Sequence, residues 1–250
     1  MYQHFILIAS SYTAGTRIGF HLSSKNQIQK SIIEDKMERI SQLKREDIGV
    51  HSLITDSPAW ESVIQLDSFF EDIVICQSFE KFEEALTFDS KITAIDIAKF
   101  FLTVKPMSHL KIQKLVYLAY KEYLLKYNQS LFEEKIVAYK YGPVVEEVYQ
   151  TFKKYGAGAI KMEDSTEYIL KDIHFPQAMG RMLLANDVEK IVPVLLEIVE
   201  KYGDFEAGQL IDLTHSKKGP WYTVYKPQLN CEITDEVILS QAKYETISLY

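Results

Sequence analysis

Residues 108–128 read SHLKIQKLVYLAYKEYLLKYN, and this stretch decides the architecture of the second half of the chain. Ser108 can cap a long helix that runs to about Asn128. At 100° per residue, Leu115, Ile112, Ala119, Tyr123 and Val116 share one arc, the natural core face. Lys111, Lys114 and Lys121 share another, with Leu118 and Leu125 among them. Two readings stay open. Lysine stems flanking exposed leucines would make a partner-binding face, whereas leucines covered by further helices would be core.

Helical signals continue on both sides of this stretch. Thr93 can cap a helix from Ala94 to Val104, with Asp96 as the return partner of a capping box, and Pro106 closes it. Gly142-Pro143 breaks the chain, and Pro143 is expected to begin a helix whose first turn carries Glu146 and Glu147. Val188, Ile191, Val192, Leu195, Leu196 and Val199 form an apolar stripe ending at Gly203, and Pro193 within it implies a kink or a later start. Asp204 can cap a helix to about His215, and Thr234 a terminal one.

The first third differs. Phe5–Ala9 and Arg17–Leu22 read as a hairpin or two adjacent strands, Gln27–Lys44 as a helix and Gly49–Ile54 as a strand. Ser57-Pro58 is expected to start a helix, with Asp72–Cys76 a buried strand and Phe79–Leu86 a short helix. The fold class expected is therefore α+β, mainly α. A small N-terminal α/β layer over residues 1–90 precedes a compact helical part over 91–250, joined by a short connection near 87–92.

Composition excludes several classes. The chain has 250 residues, 47% of them hydrophobic and 25% charged, which excludes disordered and disulfide-scaffold classes. No apolar run approaches the roughly 18 residues of a membrane span, so no membrane partner is expected. The opening MYQHFILIASS lacks the basic region of a signal peptide. Cys76 and Cys231 are read as free thiols of a cytoplasmic protein.

The net charge of −7 hides a pattern: residues 1–90 carry −6, residues 91–160 carry +5 and residues 161–250 carry −6. Half of the sixteen tyrosines fall in the basic segment. It either neutralises its flanks within one fold or marks a specific surface.

Signatures of catalysis are missing: there is no phosphate-binding glycine loop, no H-E-x-x-H and no G-x-S-x-G. His4, His21, His51, His109, His174 and His215 are scattered, with no second ligand at metal-binding spacing, so neither a metal nor a cofactor is expected. The backbone amides of Ser10–Gly15 could hold an anion, although an ordinary turn explains that stretch more simply. The chain is read as a non-enzyme.

Three segments carry a family resemblance. They are Leu110–Ala119 (LKIQKLVYLA), Val137–Val145 (VAYKYGPVV), and Leu213–Ser216 (LTHS) followed by Pro220-Trp221. In this order and spacing the chain resembles the Panacea domain, also called the SocA-like antitoxin domain, over residues 91–250. Lys217-Lys218-Gly219 makes the spacing within the third element slightly longer than usual. The resemblance implies a compact helical domain found in bacteria and phages, in antitoxins that neutralise toxins by direct contact. In one branch it implies an adaptor that delivers the toxin to a protease.

The partner-binding residues expected are Lys111, Lys114, Tyr117, Lys121, Tyr139 and Tyr141, whose tyrosines offer flat apolar faces with a polar tip. Gly142, Pro143, Thr214, His215, Pro220 and Trp221 are expected to shape the domain. His215 is expected to satisfy a carbonyl at a helix C-terminus, where positive charge is favoured, and Trp221 to anchor the core. The leading functional expectation is an antitoxin bound to a toxin encoded by an adjacent gene. A proteolytic adaptor and a nucleic-acid-binding regulator are the alternatives, the acidic flanks counting against the latter.

Overall fold

A computed structural model describes residues 1–11, 14–43, 45, 47–160, 167–170 and 173–245. The chain folds into two compact units, Met1–Lys91 and Ile92–Tyr250. Its class is α+β, mainly α.

The first unit is built on strands β1 (Tyr2–Ser11) and β2 (Thr16–Ser24), an antiparallel hairpin pairing Phe5 with Leu22 and Leu7 with Phe20. Helix α1 (Lys30–Gln42), strand β3 (Gly49–Thr55), helix α2 (Trp60–Leu66), strand β4 (Ile73–Ile75) and helix α3 (Phe79–Ser90) complete it. The sheet order is β3-β1-β2-β4, with β4 parallel to β2. Alternation sorts β1 onto two faces. Phe5, Leu7 and Ala9 pack with Ile40, Phe79, Phe82 and Leu86, while Ile6 and Ile8 pack with Val63 and Phe70. Helix α2 begins at Trp60 with Ala59 as its N-cap, so Ser57-Pro58 lies ahead of the helix rather than at its start.

The second unit opens with α4 (Ala94–Val104), where Thr93 and Asp96 close the expected capping box. Strand β5 (Met107–Ser108) leads into α5 (His109–Tyr127), capped by Ser108 and ended by Asn128 at φ 52°. There follow β6 (Ile136–Tyr139), β7 (Gly142–Val145), α6 (Glu146–Phe152), β8 (Ala159–Ile160), β9 (Glu167–Leu170), β10 (Ile173–Pro176) and α7 (Gln177–Leu183). Helices α8 (Val188–Tyr202), α9 (Ala207–Thr214) and α10 (Pro220–Val224), strand β11 (Cys231–Glu232) and helix α11 (Asp235–Gln241) complete it. A single 3-10 turn (Ala242–Tyr244) then leads to Glu245.

Two expectations need correction here, and a third is narrowed. Pro143 does not begin a helix: Gly142–Val145 is a strand paired with β6, and α6 starts only at Glu146. Val144 and Val145 are β-branched and both buried, which suits a pleated surface better than a helix turn. Helix α9 is capped by Glu206, whose box with Gln209 displaces the expected Asp204 cap. Helix α8 runs from Val188 through Pro193, which excludes the later start of the two outcomes expected for that proline.

Helix α5 is the axle of this unit, packed against α4, α6, α8, α9, α11 and β7. Every residue from Ile112 to Lys121 is buried. Over this stretch the helix has no solvent face, so Lys114, Leu118 and Lys121 of the second arc point into the fold, while Leu125 beyond them is exposed.

Candidate functional site

The buried second arc of α5 carries polar groups, and each needs a partner. They find it on the β6–β7 hairpin. The Gln113 amide pairs with the backbone of Val145 as a neighbouring strand would: Oε1 accepts from the Val145 N–H at 3.0 Å and Nε2 donates to its carbonyl at 3.3 Å. One turn position on, Lys114 Nζ donates to the Pro143 carbonyl at 2.9 Å. Two adjacent side chains of α5 thus satisfy the outer edge of β7.

Gly142 makes this approach feasible. Its φ is 107°, a conformation that favours glycine. A Cβ there would stand 2.4 Å from Lys114 Nζ and 3.1 Å from Thr214 Oγ1. Thr214 is fully buried at the end of α9, its hydroxyl donating to the Leu210 carbonyl at 2.9 Å. His215 follows as the C-cap and lies flat on Trp221, with ring centroids 3.6 Å apart. Trp221 Nε1 donates to the Tyr139 carbonyl at 2.8 Å and closes the ring of contacts back on β6. Pro220 supplies the first position of α10, where its missing N–H costs nothing.

The other face of the network meets the C-terminal turn. The Glu245 carboxylate accepts from Tyr117 Oη at 3.1 Å and from Lys121 Nζ at 3.0 Å, an ion pair with side-chain exposures of 2% and 0%. Burial pushes the Glu245 carboxyl up, against the pull of Lys121. It raises the Tyr117 phenol as well.

The residues expected to form an exposed lysine and tyrosine face therefore divide. Lys114, Tyr117 and Lys121 are corrected: they are buried, and bond to the fold rather than face solvent. Lys111 is half-buried and donates to the Gly203 carbonyl at 2.6 Å. Tyr139 is half-buried, its hydroxyl on Glu146. Tyr141, in the two-residue turn between β6 and β7, is exposed at 57%. His215 needs correcting too. Burial, and then the nearby Lys114, hold its pKa down at about 4, so the ring is neutral at pH 7. Its Nε2 is buried with no hydrogen-bond partner among the described residues, so this nitrogen satisfies no carbonyl.

Burial also lowers the Lys114 ammonium from 10.5 to about 7, with Glu245 pulling the other way. Both Lys114 and His215 are depressed relative to the unfolded chain, so the unfolded state binds more protons and stability rises with pH. For Lys114 the rise spans about 7 to 10.5, and for His215 about 4 to 6.5. Wild-type stability should thus gain on the order of 2–4 kcal/mol from Lys114 across its window. Lys114→Met should flatten that rise in denaturant midpoints taken at several pH values. Parallel wild-type and variant profiles would refute the assignment.

The loop between α9 and α10 carries its own strain. Lys218 adopts φ 67° although the glycine of this loop is its neighbour. Gly219 is needed where it stands, because a Cβ there would lie 2.9 Å from the Ser216 carbonyl oxygen and 3.1 Å from Glu245 Cγ. Left-handed strain at a non-glycine exceeds the chain entropy that glycine adds, so Lys218→Gly should stabilise the protein by roughly 0.5–1 kcal/mol. A fall in melting temperature would contradict this reading.

In the first unit, His4 and His21 lie 2.8 Å apart, Nδ1 to Nε2, with Thr55 Oγ1 on the other His4 nitrogen. Sequence spacing hid this pair because the strand register brings them together. No group of three potential metal ligands occurs among the described residues. Tyr12 and Thr13 of the Ser10–Gly15 stretch lie outside the described residues, while the Ser11 hydroxyl accepts from the Ala14 N–H as an ordinary turn would. No helix among the described residues is long and apolar enough to cross a membrane.

Comparison with known proteins bears on this same network. Residues 112–222 match the family model described as antitoxin SocA-like, Panacea domain. This span runs from Ile112 to Tyr222 and contains Gln113, Lys114, Gly142, Pro143, Thr214, His215 and Trp221. A curated relative, Antitoxin SocA of Caulobacter vibrioides (strain NA1000 / CB15N), is 29% identical over 165 residues, covering 64% of this chain and 80% of that protein. No solved structure matches the chain.

Proposed function

Because residues 112–222 match the antitoxin SocA-like Panacea model, we propose that this chain acts as an antitoxin, neutralising a cognate toxin by direct protein contact rather than by catalysis. The observation that carries this reading is the family match over residues 112–222. The span falls on the three segments that converge around the β6–β7 hairpin. Their buried members hold the hairpin turn, the α9–α10 loop and the C-terminal turn in place, and these connections are what the unit offers a partner. Of the residues proposed for the partner surface, Tyr141 is presented directly. Lys114, Tyr117 and Lys121 act through the geometry they enforce. A cytoplasmic toxin encoded by a neighbouring gene is the partner proposed.

Co-expression tests this. The neighbouring open reading frame should arrest growth alone, and this chain should restore growth and co-purify with its product. A neighbour that is harmless, or toxic but neither rescued nor bound, contradicts the reading. Toxin half-life in cells lacking the protease then separates blocking, in which rescue persists, from adaptor-type delivery, in which it is lost.

A further inference from the structure

Around the buried network the three connections form one surface. The β6–β7 turn presents Lys140 and Tyr141, the α9–α10 region presents Lys217, Lys218 and Tyr222, and the 3-10 turn presents Lys243 and Tyr244, all exposed. They are physically joined. The Trp221–Tyr139 hydrogen bond ties α10 to the hairpin, Lys218 Nζ stands 5.8 Å from the centre of the Tyr244 ring, and Gly219 abuts Glu245.

Charge is sorted here. Segments 139–145, 215–226 and 241–244 together contain five lysines and no Asp or Glu, in a chain of net charge −7. Among the described residues, Lys140, Lys217, Lys218 and Lys243 form no ion pair, whereas Lys105, Lys126, Lys135 and Lys190 each reach a carboxylate. The buried centre of the same site already holds a carboxylate, that of Glu245, between Tyr117 and Lys121. Lys218 sits here in a backbone conformation that favours glycine, and such outliers cluster at functional sites.

We propose that this rim docks an acidic segment of a partner protein, with Asp and Glu side chains on the lysines and apolar side chains against the tyrosine rings. Tyrosine supplies large, rigid contact area with a polar tip, and lysine stems add apolar cover. Complementary charge sets encounter rate and partner choice. A nucleic acid fits less well. Its phosphates extend as a dense line of charge, and an acidic chain would repel them beyond the few lysines of the rim. The identity of the partner as a toxin rests on the antitoxin reading, but the surface itself can be tested without it.

The full chain is titrated into a fluorescein-labelled polyglutamate peptide and followed by anisotropy at low and high salt. Binding should weaken about tenfold or more in a variant carrying Lys140→Glu, Lys217→Glu, Lys218→Glu and Lys243→Glu. It should persist in a charge-matched control carrying Lys25→Glu, Lys30→Glu, Lys81→Glu and Lys99→Glu. Circular dichroism verifies both folds, and Lys→Gln versions replace any variant that melts early. No peptide binding by the wild type, an equal loss in both variants, or tighter binding of single-stranded DNA of equal charge overturns the proposal. In the co-expression assay the rim variant should fail to rescue. Rescue at the wild-type level by that variant overturns the surface and leaves the antitoxin reading intact. Peptide binding at the rim by a wild type that rescues no neighbour supports the surface and sinks the antitoxin reading.

Discussion

Replacing Gly142 by alanine should destabilise the helical unit by about 2–5 kcal/mol, combining left-handed backbone strain with overpacking. The position fails on both counts. Its φ of 107° disfavours any side chain, and the new methyl would sit 2.4 Å from Lys114 Nζ and 2.8 Å from Lys114 Cε. Lys114 cannot swing away freely, because it is fully buried and its ammonium is bound to the Pro143 carbonyl. Moving it would strand that carbonyl, and the new methyl would still stand 3.1 Å from Thr214 Oγ1. Gly156 is the internal control: its φ is 55°, but a Cβ there meets nothing within 4 Å. Gly156→Ala should therefore cost only the backbone part, about 1–3 kcal/mol. Urea unfolding of the two variants measures the difference. Equal stabilities would mean that close packing around Lys114 contributes nothing.

The second large effect is expected at Glu245. Glu245→Ala should cost about 3–5 kcal/mol, since it leaves the Lys121 ammonium buried without its counter-charge. The Tyr117 hydroxyl loses its acceptor in the same step. Glu245→Gln keeps an acceptor but removes the charge, and should fall between alanine and wild type. Replacing both partners, Lys121→Met with Glu245→Leu, should recover most of the loss because no lone charge remains buried. The exposed pair Lys105–Asp204, with side chains 57% and 98% accessible, provides the contrast. Removing either of its members should change stability by less than about 1 kcal/mol. A double variant no better than Glu245→Ala would show that packing, not the ion pair, dominates the site.

Much of this fold is legible in local signals. The Thr93–Asp96 box, the Ser108 cap of α5 and the hairpin of β1 and β2 are each written in a few adjacent residues, and each appears as read. What fails is what depends on neighbours distant in sequence. The arc holding Lys111, Lys114 and Lys121 was correctly separated from the apolar arc. A single helix, however, does not reveal whether a β-hairpin and a C-terminal turn cover its second side. Leu118 among those lysines was the available hint, and it is fully buried. Glu245 gave no signal at all: its partner Lys121 lies 124 positions away. Pro143 misled because a Gly-Pro pair reads as a helix start as readily as a hairpin exit. The two valines that follow tip the balance toward a strand.

In the proposed complex the rim of the helical unit grips the toxin while the buried network holds that rim in shape. Hydrogen–deuterium exchange of the full chain, alone and with the neighbouring-gene product whose growth arrest it is proposed to relieve, tests this most directly. Added protection should concentrate in residues 139–142, 215–222 and 241–244, with the already buried core of α5 little changed. Protection confined to Met1–Lys91, or to the exposed Leu125 and Leu196 positions of α5 and α8, would contradict it.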